Sequence, residues 1–97
     1  MTAYVIANVD VHDGQAYEAY RSRTLATIEA HGGRFIVRGG EVKTLEGNPN
    51  LHRVVIIEFP SREAAQGWYD SPEYQAIIPL RTSTSAGALC IVEGIGE

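Results

Sequence analysis

The stretch from Arg53 to Tyr74 constrains the fold of this chain more than any other part of the sequence. Its first part, Val54 to Ile57, consists of β-branched apolar residues and therefore predicts a central strand. Pro60 has no backbone N–H to donate to a sheet, so it ends that strand. Ser61 is a preferred helix N-cap, and Ser71-Pro72-Glu73 repeats the arrangement with proline at the first helical position. The stretch thus predicts a strand followed by two helices.

The rest of the chain adds strands and helices around this stretch. In chain order, hydrophobic patterns and turn residues predict a strand over Ala3–Val11, a helix over Gln15–Ala30 and a strand over Arg34–Arg38. Gly39-Gly40 then forms either a tight turn or a bulge, and we favour a bulge through which the strand continues to Leu45. There follow a strand over Leu51–Phe59, helices over Arg62–Asp70 and Glu73–Ser85 with a kink or break at Pro79, a strand over Ala88–Glu93 and a tail over Gly94–Glu97. The order is β-α-β-β-α-β with an extra helical segment, which is typical of the ferredoxin-like α+β fold, an antiparallel sheet with its helices on one face. The length of 97 residues predicts a single domain over 1–97.

Side-chain alternation divides the predicted sheet into two different faces. One face is uniformly apolar and is expected to pack under the helices; it carries Val5, Ala7, Val9, Val55, Ile57 and Phe59. The other face is too apolar for water and too polar for a plain core; it carries Tyr4, Ile6, Asn8, Val54, Ile56 and Glu58. A second copy of the sheet would cover this face and enclose a cavity with a few polar groups. The two faces therefore predict a homodimer with a small-molecule cavity between its sheets.

Composition and charge exclude several classes of function. The net charge of −4, without a basic run, argues against nucleic-acid binding, and no apolar run reaches the length of a membrane span. The N-terminus lacks the basic and apolar blocks of a signal peptide, and the single cysteine, Cys90, predicts a buried, inert thiol in a reducing cytoplasm. The sequence contains no nucleotide-binding glycine motif, and His12, His31 and His52 lack metal-ligand spacing. We therefore expect a cytoplasmic protein without a cofactor, a metal, a nucleic-acid partner or a membrane partner.

Arg38 and Glu58 are the first candidates for chemistry, because alternation places both on the face that would line the cavity. Arg38 could hold a ligand carboxylate or carbonyl through paired hydrogen bonds, and Glu58 could act as a general base. The alternative for both is a structural ion pair that fixes the sheet register or the dimer. Asn8 could orient a ligand carbonyl, or it could satisfy a neighbouring backbone group.

Aromatic and histidine side chains supply the remaining candidates. The Tyr20 hydroxyl could donate to an oxyanion at a cavity mouth, and Trp68 could contact a ligand; the alternative for both is core packing. His52 begins the central strand and could face the cavity as an acid, a base or a haem ligand. Arg81 could also face the cavity, or it could be a solvated surface arginine.

Several short runs of the sequence form a combination that is more specific than any of its parts. They are Arg38-Gly39-Gly40, Leu45-Glu46-Gly47, Val54 to Ser61, Trp68-Tyr69, Ser71, Glu73-Tyr74, Arg81 and Val92-Glu93-Gly94. This combination resembles the bacterial domain of unknown function family 1330, and the resemblance covers essentially the whole chain. That family is similar in fold to the dimeric α+β barrel superfamily, which includes cofactor-free monooxygenases, muconolactone isomerase-like enzymes and haem enzymes such as chlorite dismutase. The resemblance implies the fold and the homodimer, and it leaves the activity open because one fold supports many chemistries.

The residues and the resemblance together predict a homodimer that binds a small polar or carboxylate-bearing molecule. Three functions fit this description. The first is a cofactor-free isomerase or monooxygenase, with Arg38 as the anchor, Glu58 as the base, and Asn8 and Tyr20 orienting the substrate. The second is a non-catalytic ligand-binding module, and the third is a structural dimer whose polar face provides only pairing specificity.

Overall fold

The predicted order of strands and helices is confirmed by a computed structural model, which describes residues 1–96. The elements are β1 (Ala3–Val11), α1 (Gly14–Glu29), β2 (Arg34–Arg38), β3 (Arg53–Phe59), α2 (Arg62–Asp70), α3 (Pro72–Thr82) and β4 (Ser85–Glu93). Glu97, the last residue of the predicted tail, lies outside the described residues. The main differences from the prediction lie between β2 and β3 and at the junction of α3 with β4.

The strands form one antiparallel sheet in the order β2-β3-β1-β4. β1 pairs with both β3 and β4, so that Ala7 lies between Val55 and Leu89 in one row across the sheet. β1 and β2, which flank α1 in the chain, are therefore not neighbours in the sheet. This is the ferredoxin-like arrangement, and the predicted α+β fold class is confirmed.

Serine caps begin the two later helices and connect them. The Ser61 hydroxyl accepts a hydrogen bond from the Ala64 N–H (3.0 Å) at the start of α2. The Ser71 hydroxyl caps α3 and also donates to the Trp68 carbonyl (2.7 Å), so one side chain joins the end of α2 to the start of α3. α3 continues through Pro79 instead of breaking there. None of the helices within residues 1–96 is long and apolar enough to cross a membrane.

The helices cover the face of the sheet that the sequence predicts as uniformly apolar. The buried strand residues on this face are Val5, Ala7, Val9, Val55, Ile57 and Phe59. From the helices, Ile28, Trp68 and Tyr74 pack onto this face, and each exposes 1% or less of its surface. The rings of Trp68 and Tyr74 lie 4.1 Å apart, centroid to centroid. Because aromatic side chains bury large apolar areas, this cluster is a principal source of the stability of the fold.

The edge strand β2 contains an irregularity that changes which residues face the helices. Its pairing with β3 shifts register between Phe35 and Val37, which makes Ile36 a bulged residue. The bulge reverses the alternation of side chains, so Arg38 lies opposite Val55 on the helix-covered face. Simple alternation without this bulge places Arg38 on the same face as Ile36 and Glu58. The prediction that Arg38 shares a face with Glu58 is therefore wrong.

The predicted continuation of β2 through a bulge at Gly39-Gly40 to Leu45 is also wrong, because the strand ends at Arg38. The Gly39 N–H still donates to the Val54 carbonyl (2.8 Å), and Gly39 has a φ of +70°. That left-handed conformation favours glycine and turns the chain away from the sheet. Residues 40–52 then form an exposed loop without regular structure.

The opposite face of the sheet, which we call the open face, is not covered by any helix of residues 1–96. Ile6, Ile56 and Cys90 share one row across it. Cys90 is exposed, so the prediction of a buried thiol is wrong. The reason is that β4 is an edge strand, and nothing in the described chain packs over its open side.

Candidate functional site

The enclosed space in this structure lies between the sheet and the helices, not on the open face. This inner cavity has a volume of about 30 Å³. Its walls come from β1, β2, β3 and β4 below and from all three helices above; they are Ala7, Val9, Tyr17, Tyr20, Arg21, Thr24, Phe35, Arg38, Arg53, Val55, Ile57, Trp68, Arg81 and Leu89. The sequence predicts a site between two sheets, so the cavity of the single subunit is on the opposite side of the sheet from the one expected.

Two larger clefts adjoin the inner cavity and share lining residues with it. The Arg53 cleft has a volume of about 530 Å³ and is lined by Val9, Val11, Gly14, Tyr17, Glu18, Arg21, Gly39, His52 and Arg53. The Trp68 cleft has a volume of about 520 Å³ and is lined by Val5, Gln66, Trp68, Tyr69, Arg81, Gly87, Leu89, Cys90 and Ile91. Both volumes fall within the range of about 300–1,000 Å³ that is typical of small-molecule sites.

Arginine side chains give the inner cavity its charge. The lining includes Arg21, Arg38, Arg53 and Arg81, and it includes no aspartate or glutamate among the described residues. Arg21 pairs with Glu18 at 3.3 Å on the rim. The other three guanidinium groups form no ion pair within the described chain. The cavity is therefore a region of positive potential with apolar walls, which focuses the field on whatever enters it.

The three unpaired guanidinium groups differ in their contacts. Arg38 donates to the Arg21 carbonyl (3.1 Å), and its guanidinium carbon lies 4.2 Å from the centre of the Phe35 ring. The guanidinium carbon of Arg53 lies 6.0 Å from the centre of the Tyr17 ring. The Nε atoms of Arg53 and Arg81 are buried and have no hydrogen-bond acceptor among the described residues. Because buried donors are normally paired, these two N–H groups mark positions where the described residues leave a donor without its partner.

A buried pair of tyrosine hydroxyls lies beside Arg81. The hydroxyls of Tyr20 and Tyr74 are 2.9 Å apart, and both rings are almost fully buried. Burial raises the pKa of both hydroxyls, and the positive charge of Arg81 opposes this rise at each. Both tyrosines therefore stay neutral at physiological pH. One hydroxyl donates to the other, and the accepting hydroxyl keeps a proton that it can donate elsewhere.

Trp68 lines both the inner cavity and the Trp68 cleft, but its polar atom is already engaged. The indole N–H donates to the Thr27 hydroxyl (3.0 Å), and Thr27 in turn donates to the Thr24 carbonyl (2.6 Å). The indole therefore offers a ligand an apolar surface and no donor. Tyr20 and Trp68 both line the inner cavity, which is on the helix side of the sheet and not between two sheets.

Arg38 and Glu58 do not meet, contrary to the prediction from alternation. Glu58 lies on the open face and pairs with Arg34 at 3.0 Å, while Arg38 faces the helices. The physical reason is the bulge at Ile36, which places the two arginines of β2 on opposite faces of the sheet. Glu58 therefore does not line the inner cavity or either cleft.

Asn8 and His52 lie at one end of the sheet and are connected through the loop between β2 and β3. The Asn8 side chain accepts from the His52 N–H (2.8 Å) and donates to the Asn50 carbonyl (3.2 Å). This is the backbone role that we considered as the alternative to ligand contact. His52 lines the Arg53 cleft, and its Nδ1 lies 3.9 Å from an Asp10 carboxylate oxygen. Among residues 1–96, no three His, Cys, Asp or Glu side chains form a group suited to a metal ion.

Arg53 is the lining residue that sequence reasoning did not propose. It stands opposite Val9, on the face to which β1 and β3 otherwise contribute only apolar residues, so an arginine at this position of β3 was the available signal. The sequence predicts Tyr74 as a core or interface aromatic, with a place in an aromatic binding cage as the alternative. Its pairing with Tyr20 joins positions 54 residues apart, so no local pattern could indicate it.

Comparison with known proteins places this geometry among related folds. The model of a family described as "Domain of unknown function (DUF1330)" matches residues 2–95, and no curated protein matches the chain. Among solved structures, a protein of unknown function from Rhodopseudomonas palustris, RPA0582, has a TM-score of 0.78 at 20% identity, covering 99% of this chain and 84% of that chain.

Two further structures are described as oxygenases. SnoaB, a cofactor-independent oxygenase from Streptomyces nogalater, was crystallised in a mutant form that has a TM-score of 0.69 at 14% identity, covering 99% of this chain and 95% of that chain. A protein provisionally assigned as an antibiotic biosynthesis monooxygenase, from Caulobacter crescentus, has a TM-score of 0.66 at 18% identity, covering 98% of this chain and 91% of that chain. At these levels of identity the likeness concerns the fold alone, and it supports the α+β fold with a four-stranded antiparallel sheet.

Proposed function

The chain belongs to the family of the domain of unknown function DUF1330, so we propose a function from the geometry of its site. We propose that the protein binds a small polar or carboxylate-bearing organic molecule between its sheet and its helices. The proposal keeps the ligand class expected from the sequence and moves the site into the single subunit. Arg38, Tyr20 and Trp68 remain substrate-binding residues in this proposal, because all three line the inner cavity.

The observation that carries the proposal is the unbalanced charge of the inner cavity. Arg38, Arg53 and Arg81 line it, and no carboxylate of the described chain pairs with them. A guanidinium presents donors in a planar fork that matches a carboxylate, and the bond strengthens where water is excluded. An organic anion would supply the acceptors that the protein itself does not provide.

The dimensions of the site limit how the ligand can lie. The inner cavity of about 30 Å³ has room for one or two water-sized groups, so it can hold only a polar head or an edge of the ligand. The body of the ligand must lie in one of the two adjoining clefts, each above 500 Å³. The aromatic and aliphatic walls of both clefts favour a compact apolar or aromatic body.

Calorimetric titration with 2-naphthoate and its neutral counterpart 2-naphthamide tests this proposal. We expect the carboxylate to bind more tightly than the amide, and we expect replacement of at least one of Arg38, Arg53 and Arg81 by glutamine to remove that preference. Arg34→Gln is the matched control, because Arg34 lies on the open face and pairs with Glu58. Equal binding of acid and amide by the unmodified protein would contradict the proposal.

Cofactor-free catalysis is the second candidate, and the hydroxyl pair of Tyr20 and Tyr74 beside Arg81 is the observation that favours it. Neutral buried hydroxyls near a guanidinium can donate to an oxygen that gains negative charge during a reaction. SnoaB, a protein of similar fold, is described as a cofactor-independent oxygenase. In this second function the ligand gives its acidic proton to solvent water in the adjoining cleft, and the cavity stabilises the resulting enolate or phenolate, which is the form that reacts or isomerises.

Oxygen uptake and spectroscopic turnover with a panel of enolisable aromatic ketones and hydroxyarenes would test catalysis without added cofactor. We expect Tyr20→Phe to lower turnover more than binding, because Tyr20 lines the inner cavity and its hydroxyl is proposed to contact the charged form of the ligand. If the protein binds these compounds but converts none of them, the catalytic function is wrong and the protein is a non-catalytic ligand-binding module. Glu58 remains a candidate base only for a ligand held at the open face, and Glu58→Gln should therefore leave turnover in the inner cavity unchanged.

We also propose that the open face pairs with a second copy of the chain. Apolar side chains cross this face in the row of Ile56, Ile6 and Cys90, and in the next row Val54 and Ala88 lie on either side of Asn8. The face also carries charged groups at its edge, where Arg34 and Glu58 pair at 3.0 Å. An apolar sheet face with a polar rim is typical of a protein interface, and a two-fold dimer would cover it with an identical surface.

Light scattering coupled to size-exclusion chromatography tests the dimer. We expect the unmodified chain to have twice the mass of 10.6 kDa and Ile56→Glu to have the mass of one chain. Leu25→Glu is the control, because Leu25 is an exposed leucine on α1, away from the sheet. A monomeric unmodified protein would contradict the dimer without affecting the ligand proposal.

A further inference from the structure

Arg53 is held at the junction of the inner cavity and the Arg53 cleft by the backbone of the neighbouring loop. It lines both spaces and stands opposite Val9 on β1. Its Nε is buried and has no acceptor in residues 1–96, and its guanidinium lies over the Tyr17 ring at 6.0 Å. The side chain is therefore oriented by an aromatic face on one side and by the loop on the other.

Gly39 is the part of that loop against which the guanidinium lies. A Cβ at position 39 would collide with the Nη1 atom of Arg53 and would lie only 2.7 Å from its Cζ, so any side chain here would displace the arginine. Gly39 also has a φ of +70°, which disfavours other residues. The same backbone is fixed in place by the bond from the Gly39 N–H to the Val54 carbonyl (2.8 Å). Gly39 thus combines two requirements for glycine at one position.

From this arrangement we infer that Arg53 is the residue that recognises the acidic group of the ligand, and that Gly39 is a positioning residue for it. The inference rests on the proposed ligand site and specifies which of the three arginines carries recognition. Arg38 already donates to a backbone carbonyl, and Arg81 lies beside the hydroxyl of Tyr74. Arg81 also has a buried, unpaired Nε–H and lines the Trp68 cleft, but its charge already acts on the hydroxyls of Tyr20 and Tyr74. Arg53 has a buried, unpaired Nε–H, lines a cleft of about 530 Å³, and lies against the ring of Tyr17.

The ligand class follows from the surroundings of Arg53. The cleft presents the apolar side chains of Val9 and Val11 and the ring of Tyr17 next to the guanidinium. The carboxylate of the cleft, Glu18, is paired with Arg21 at 3.3 Å and does not neutralise Arg53. A monocarboxylate with a flat apolar body would place its acid on Arg53 and its body against Tyr17. The guanidinium can then form two parallel hydrogen bonds, one of them through Nε.

The test is a ¹H–¹⁵N NMR titration that follows the Nε–H signals of the arginines, with 2-naphthoate as the probe and 2-naphthamide as its neutral counterpart. We expect the Arg53 signal, assigned by its loss in Arg53→Gln, to shift with the acid and not with the amide. Arg53→Gln and Gly39→Ala should each weaken binding of the acid by about tenfold or more, because each removes a charge-assisted bidentate contact.

Gly40→Ala is the matched control for Gly39→Ala. Position 40 has nothing within 4 Å of an added Cβ, so this substitution should leave binding within about twofold of the unmodified protein. If Arg53→Gln binds the acid normally and Arg81→Gln or Arg38→Gln does not, the inference about Arg53 is wrong while the ligand site stands. If no arginine signal of the unmodified protein shifts with the acid, both are wrong.

Discussion

The buried hydroxyl pair of Tyr20 and Tyr74 allows a quantitative test of the packing at the cavity. Tyr74→Phe leaves the Tyr20 hydroxyl buried without its partner at 2.9 Å, which should cost about 1–2 kcal/mol of unfolding free energy. Tyr20→Phe should cost less, about 0.5–1 kcal/mol, because the Tyr74 hydroxyl keeps Arg81 as a neighbour. The double variant should then lose about 1 kcal/mol less than the sum of the single losses.

Urea unfolding followed by the fluorescence of the single tryptophan, Trp68, measures these values, since its ring lies 4.1 Å from that of Tyr74. Protein concentration must be the same for all variants, because a dimer would make the apparent stability depend on it. Tyr4→Phe on the open face serves as the control and should change stability by less than about 0.5 kcal/mol. Strictly additive losses would mean that the two hydroxyls are not bonded, and the account of this part of the cavity would fail.

Three further predictions concern pH, the loop and the helix junction. Burial raises the folded-state pKa of the Tyr20 hydroxyl above its unfolded value of about 10, so stability should fall as the pH rises beyond about 10, and Tyr20→Phe should lessen that fall in pH-dependent urea unfolding. Asn8→Ala removes two hydrogen bonds to the loop, so the amide of His52 should exchange with solvent faster by NMR, at a cost of about 1 kcal/mol; unchanged exchange would contradict this anchoring. Ser71→Ala removes a buried cap shared by α2 and α3 and should lower stability by about 1–2 kcal/mol in thermal unfolding, whereas a loss near zero would show that the cap is replaceable.

Local sequence signals account for most of the fold. Pro60 and Ser61 mark the end of β3 and the start of α2, and Ser71 with Pro72 marks the start of α3. These features act over a few residues, so they can be interpreted without knowledge of the rest of the chain. The alternation of apolar residues in β1 and β3 likewise identifies the helix-covered face, because no irregularity interrupts those two strands.

The site was harder to predict because one residue changes the face on which Arg38 lies. The bulge at Ile36 depends on how the edge strand pairs with β3, and no turn residue or proline in Arg34–Arg38 indicates it. Alternation without the bulge predicts that Arg38 and Glu58 lie on the same face. In the structure they lie on opposite faces and do not pair. Alternation along β3, by contrast, correctly places Arg53 with Val55, although an arginine on an apolar face was not interpreted as a site residue.

A crystal structure of the protein with 2-naphthoate bound would test the central claim most directly, namely that the ligand site lies between the sheet and the helices of one subunit. The account predicts ligand density on the helix side of the sheet, with the carboxylate on Arg53 and the rings beside Tyr17. Ligand density at the open face, between the sheets of two copies and near Glu58, would contradict it and restore the site that alternation alone predicts.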